Sequence, residues 1–171
     1  MKDYLCGFFI KKYLNMKAVK FLMLVVLISS IAFTSCKKDE NTGDPSIGDG
    51  SMTLKYAGTS WDASLAVQAV NTNGVINVTG SDSQGKQAAI TLFGVDSPGT
   101  YEITSGSQHS GRWTEGVDPS ETYVANGIIG TGTITITELS ETKIKGSFSF
   151  EGFNTTQTSK SITEGSFDVN F

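Results

Sequence analysis

From Ser51 to Phe171 apolar side chains recur at every second position, and no window carries a convincing apolar repeat of 3.6 residues. In an extended chain successive side chains point to opposite faces, so this period predicts strands with one dry and one wet face. Met52, Leu54 and Tyr56 share one face of a first strand. Trp61, Ala63, Leu65, Val67 and Ala69 continue the pattern as a second. Ile76 and Val78, Ile90 and Leu92, and Tyr101 and Ile103 mark three more, and another lies near Tyr123. Ile134 and Ile136 alternate strictly with threonine in Thr131-Gly-Thr-Ile-Thr-Ile-Thr137. Ile144, Phe148 and Phe150, then Phe167, Val169 and Phe171, complete the set. Turn formers separate these runs at Asn73-Gly74, Asp82-Ser-Gln-Gly85, Ser97-Pro98-Gly99 and Glu138–Thr142. The prediction is an all-β antiparallel β-sandwich or flattened β-barrel of about 8–10 short strands. Periodicity does not choose between the two, because both need alternating inward residues.

One short motif is echoed. Gly146-Ser-Phe-Ser-Phe150 returns as Gly165-Ser-Phe-Asp-Val169. Two copies are too few for a repeat architecture. They predict two neighbouring antiparallel strands, joined by a long polar connection over Glu151–Glu164, with Phe171 built into the sheet.

The front of the chain has another grammar. Lys17 and Lys20 precede an apolar run, Phe21–Phe33, of 13 residues. A permanent bilayer-spanning helix needs about 20 residues, so the run reads as the removable core of a signal peptide covering 1–35. Met16 reads as the true start, with Met1–Asn15 as an extension. Phe33-Thr34-Ser35-Cys36 resembles the lipobox of bacterial lipoproteins, with Phe33 in place of the usual Leu. The resemblance implies cleavage before Cys36 and a lipid anchor on its sulfur. An ordinary secretory signal with an incidental cysteine is the alternative. Lys37-Lys-Asp-Glu40 resembles the charged export signal of surface lipoproteins in the Bacteroidota, which implies the outer membrane and its outward face; the periplasmic face is the alternative, with the charge run as a plain solvated tether. Residues 36–50 carry the lipidated cysteine and a polar linker too poor in apolar groups to offset the entropy of ordering.

That leaves one domain over 51–171, large enough for its own core. From Cys36 onward eight Lys or Arg face sixteen Asp or Glu, a formal charge of −8 that argues against nucleic acid. No cysteine follows Cys36, so no disulfide supports this domain. Tyr56-Ala-Gly-Thr-Ser-Trp61-Asp-Ala, Gly132-Thr-Ile-Thr-Ile-Thr137, Lys143-Ile-Lys-Gly-Ser-Phe-Ser-Phe150 and Ile162-Thr-Glu-Gly-Ser-Phe-Asp-Val169 together resemble an uncharacterised family of small all-β lipoproteins of the Bacteroidota, a domain of unknown function. The similarity covers most of 51–171. Its motifs are glycines and core aromatics, so it implies a fold, and it brings no catalytic residue to carry over.

Chemistry is sparse. No Gly-x-Ser-x-Gly elbow, phosphate loop or EF-hand spacing is present, and one His without a free Cys does not make a metal site. No cofactor is implied. Glu115 and Asp118 could be paired as glycosidase acids, but sixteen acids make such pairs common by chance. The segment Ser105–Ser120 reads as a long loop holding the only His (His109), the only Arg (Arg112) and one of two tryptophans (Trp113). Loops on rigid scaffolds concentrate binding residues, and Trp and Arg can stack on or grip a ligand. The plainer alternative puts Trp113 in a short strand against the core, with Arg112 on a solvated face. Trp61, in phase with Val67, reads as core, and Tyr56, Tyr101 and Tyr123 as half-buried. The functional expectation is a membrane-anchored, non-catalytic binding or accessory domain whose partner is a glycan or an outer-membrane protein. A lipocalin-like carrier of a small apolar ligand is the alternative. An enzyme or a purely structural envelope role stands behind both.

Overall fold

The computed structural model describes residues 50–171, and the signal peptide, Cys36 and the linker before Gly50 lie outside them. The described chain forms β1 (Gly50–Tyr56), β2 (Thr59–Asp62), β3 (Ala66–Thr72), β4 (Val75–Ser81), β5 (Gln87–Phe93), β6 (Gly99–Ile103), β7 (Ser110–Thr114), β8 (Thr122–Ala125), β9 (Thr131–Leu139), β10 (Lys143–Phe153) and β11 (Ser159–Asn170). One 3-10 turn, Pro119–Glu121, is the only helical element among these residues. All pairings are antiparallel, and they join into a single sheet ordered β2-β1-β11-β10-β8-β7-β5-β4-β3. The sheet forks at β10, whose residues 144–151 pair with β9 while Phe153 pairs with Val124 of β8; β6 then pairs β9. The sheet curls until β3 approaches β1 and β11 without pairing to them. The fold is therefore a half-barrel made from one sheet, with β2, β3 and β6 as edges.

The eleven strands arise where periodicity cannot see a change of partner. The run from Trp61 to Ala69 is two strands, not one. Ala63 N–H donates to Met52 O and Leu65 N–H to Ser81 O, so the chain leaves β1 and joins β4 within three residues. Alternation keeps its phase through the crossing, while Leu65 itself is left 49% exposed. The segment read as a loop over 105–120 likewise contains β7. The β10–β11 connection is five residues, 154–158, rather than fourteen, because both strands run on through their polar stretches. Asn154 closes it by accepting the N–H groups of Thr156 and Thr158 on Oδ1. Phe171 stands one residue beyond β11 and is 37% exposed; its N–H donates to Thr142 O, but its ring is outside the core.

Two hairpins use the same two-residue turn with both residues left-handed. Asn73-Gly74 (φ 53° and 81°) joins β3 to β4, and Ala57-Gly58 (φ 48° and 78°) joins β1 to β2. This turn matches the twist of the flanking strands, and Asn-Gly suits it best.

The core explains the echoed motif. In the β10–β11 register Gly146 faces Phe167 and Phe148 faces Gly165, so each copy supplies the glycine on which the other copy's ring lies. A Cβ on Gly165 would sit 2.5 Å from the Phe148 ring, and one on Gly146 would sit 2.8 Å from that of Phe167. Gly111 of β7 carries Phe150 in the same way, at 2.6 Å. Three phenylalanines thus stack in series, with centroids 6.2 and 6.3 Å apart, over three bare backbone positions. Ile90, Ile103, Ile134, Ile144, Ile162 and Val78 fill the interior around them.

Candidate functional site

Sequence adjacency put His109, Arg112 and Trp113 together, but the structure separates them. Trp113 faces inward and has no exposed surface. Its indole packs 4.9 Å from the ring of Tyr56 and meets Trp61 edge-on at 5.0 Å. Its Nε1 donates to Glu115 Oε1 at 3.0 Å, and Glu115 Oε2 accepts Lys160 Nζ at 2.5 Å. The Lys160 ammonium lies 4.5 Å from the Tyr123 ring centroid and 5.8 Å from that of Tyr56. Partial burial pulls the Lys160 pKa down, but the Glu115 carboxylate and Tyr123 outweigh it and hold the pKa above the ordinary lysine value. Trp61, as expected, is core. Its Nε1 donates to Asp82 Oδ2 at 2.7 Å, and Asp82 Oδ1 takes the N–H groups of Gln84 and Lys86. Desolvation pushes the Asp82 pKa up, yet these donors together with the Lys86 charge bring it below the usual carboxylate range.

Two tryptophans and two carboxylates therefore knit β1, β2, β7, β11 and the 82–86 turn into one end of the half-barrel. Sequence reading missed Asp82 and Lys160 as partners. Nothing in a turn aspartate or a strand lysine names the side chain it will meet across 21 or 45 residues. A concavity of about 330 Å³ opens beside this cluster, lined by Tyr56, Ser60, Trp61, Asp82, Gln84 and Lys86.

His109 lies before β7, edge-on to Tyr101 with centroids 5.5 Å apart. Its Nδ1 accepts the Phe93 N–H at 3.3 Å, and partial burial lowers its pKa. Glu115 and Asp118 take separate partners. Glu115 holds Trp113 and Lys160, while Asp118 caps the 3-10 turn through the Ser120 N–H and hydroxyl. Among the described residues no three His, Cys, Asp or Glu gather as a metal site.

Arg112 points the other way from Trp113, into solvent. In register across five strands its outward row reads Gln68, Thr79, Ala89, Arg112, Val124, and Phe153 extends it on β10. The rows on either side read Ala66, Ser81, Gln87, Thr114, Thr122 and Val70, Asn77, Thr91, Ser110. Strands β3, β4, β5, β7 and β8 hold no Asp or Glu, and Arg112 is their sole charge. Four of the other five described cations are ion-paired, Lys55 with Glu164, Lys143 and Lys145 with Asp168, and Lys160 with Glu115, while Lys86 donates to Gln84 Oε1. Among the described residues Arg112 has no ion-pair partner. A concavity of about 270 Å³ lies against it, lined also by Gln68, Thr79, Ser81 and Gln87.

The family described as Domain of unknown function (DUF6252) matches residues 49–169. The chain belongs to the DUF6252 family. The DUF6252 match opens one residue before β1 and closes one residue before the end of β11, so it spans the whole curled sheet. No curated protein matches the chain, and no solved structure matches it.

Proposed function

We propose that this DUF6252 chain is a lipid-anchored extracytoplasmic protein whose 50–171 domain is a non-catalytic binding module. Cys36 carries the acyl chains, the polar stretch up to Gly50 is the tether, and the outer membrane, facing outward, is the address. The partner is a glycan or another outer-membrane protein. One observation carries the binding half of this reading: an acid-free face of five strands with an unmatched guanidinium over a concavity, on an otherwise acidic domain. A cation on a neutral face attracts an anionic partner without competition from its own chain. The non-catalytic half rests on how the acids at the aromatic end are engaged. Asp82 and Glu115 are each held by an indole and by further donors, which suits support rather than proton transfer.

The filled interior favours this reading over a carrier of an apolar ligand, since Phe148, Phe150, Phe167 and Trp113 occupy the space such a ligand would need. The test has two arms in the native cells. Labelled palmitate should enter the wild-type chain and not Cys36→Ser, which should leave the membrane fraction. A cross-linked pull-down from the cell surface should recover a partner with the wild type and lose it with Arg112→Ala. Equal membrane retention of Cys36→Ser removes the anchor, and equal recovery with Arg112→Ala removes the site.

A further inference from the structure

The face around Arg112 is specific enough to name a ligand class, and this step rests on the binding reading above. We propose that it holds a carboxylated polysaccharide, a chain of uronic acid residues laid across β3–β8 with a carboxylate on Arg112. Three features of the row select this chemistry. A guanidinium presents a planar fork of N–H donors that meets a carboxylate through two parallel bonds. Beside it Gln68, Gln87, Thr79 and Ser81 offer amides and hydroxyls, each able to donate and accept. Sugar hydroxyls also do both, so these side chains fit the uncharged part of a uronate. On the far side Val124 and the half-buried Phe153 continue the row as an apolar shoulder, a surface suited to the C–H face of a sugar ring.

The row is also long in the right direction. Gln68 to Arg112 crosses four strands, β3, β4, β5 and β7, which at about 4.8 Å per step is about 14 Å. That length suits several linked sugar units better than one small anion. Ala89, between Thr79 and Arg112, leaves the middle of the row low, so that Arg112 can lean over a chain lying in it. An acidic protein segment is the competing occupant. It would match the charge, but its backbone would not present the shoulder with the C–H face of a ring.

The experiment uses the full chain in detergent micelles at physiological ionic strength. Its probes are oligosaccharides of galacturonate and of glucuronate, the methyl-esterified galacturonate oligomer, dextran sulfate and poly-glutamate, with binding read by calorimetry. A uronate oligomer should bind, and esterification, which replaces the carboxylate by an uncharged ester at the cost of one added methyl group, should weaken it at least tenfold. Arg112→Ala should weaken it at least tenfold with an unchanged circular dichroism spectrum, since the side chain is exposed, and Arg112→Lys should fall between. Equal binding of the ester, or an Arg112→Ala variant as good as wild type, overturns the proposal. So does dextran sulfate or poly-glutamate binding as tightly as the uronates. If no uronate binds while the surface pull-down still depends on Arg112, the ligand class is wrong and the binding domain stands.

Discussion

Gly165→Ala adds one methyl group where the fold has no room for it. The new Cβ would lie 2.5 and 2.6 Å from two carbons of the Phe148 ring and 2.6 Å from the Phe148 carbonyl oxygen. Comfortable carbon contacts begin near 3.5 Å, so the ring would have to retreat by about 1 Å. It cannot do so freely, because Phe150 and Phe167 stack on either side of it at 6.3 and 6.2 Å. The carbonyl belongs to the β10–β11 ladder and moves only if the pairing Phe148↔Gly165 opens. Overpacking of this kind costs roughly 1–3 kcal/mol. Against it stands the ordinary gain of Gly→Ala, about 0.4–1 kcal/mol from a stiffer unfolded chain. The steric loss wins, giving a net loss of about 1–2 kcal/mol, or a fall in Tm of roughly 3–12 °C for a domain of this size.

Urea and thermal melts followed by circular dichroism and by fluorescence of the buried Trp61 and Trp113 measure this directly. Gly99→Ala is the control. The nearest neighbours of its Cβ would be Tyr101 side-chain atoms, at 3.5 Å or more, and its stability should stay within about 0.5 kcal/mol of wild type. A second variant separates packing from backbone. In Gly165→Ala with Phe148→Leu the smaller side chain yields space to the methyl, so the two losses should sum to less than their parts by about 1 kcal/mol. Gly165→Ala as stable as wild type, or losses that simply add, would refute the idea that each glycine exists to seat the opposite ring.

Three further outcomes follow from the same structure. Ala57→Asn should stabilise by about 0.5–1 kcal/mol in urea melts, because Ala57 holds φ 48° in a turn whose twin already uses Asn73 there. Asp82→Ala should cost about 2–4 kcal/mol in the same assay, since it strands the Trp61 indole N–H and two backbone N–H groups that a charged acceptor now serves; because the native Asp82 pKa is lowered, its contribution is present above the ordinary aspartate pKa and lost as pH falls through the native value, so the variant should show a flatter acid limb. His109 is also lowered, through its partial burial, so the unfolded chain takes up its proton first; stability should be full above the ordinary imidazole value near 6.5 and decline as pH falls from there, and His109→Gln should remove that decline.

Much of the fold was legible because burial on a strand leaves a period of two. Met52, Leu54, Ile76, Val78, Ile90, Leu92, Ile134 and Ile136 all point inward as their spacing predicts. What periodicity does not encode is the partner. The break at 63–65 keeps its phase, so two strands read as one. At the polar ends of β10 and β11 the inward positions include Gly152 and Lys160 in place of large apolar residues, so strand read as connection. Trp61 could be assigned to the core, yet not to Asp82, because that bond depends on how the sheet curls.

The candidate site shows the same boundary at the scale of two residues. Arg112 and Trp113 are adjacent, and a loop would have let both reach one ligand. In β7 adjacency means opposition: one side chain is sealed under Tyr56 and Trp61, and its neighbour stands on the outer face. The significance of Arg112 comes from other strands, since it takes β3, β4, β5 and β8 to surround it with amides, hydroxyls and small apolar groups and no acid. Each of those strands reads as an ordinary polar-out strand by itself. Only their antiparallel register turns four neutral outer faces into one surface, and places on it a charge that the rest of the domain does not neutralise.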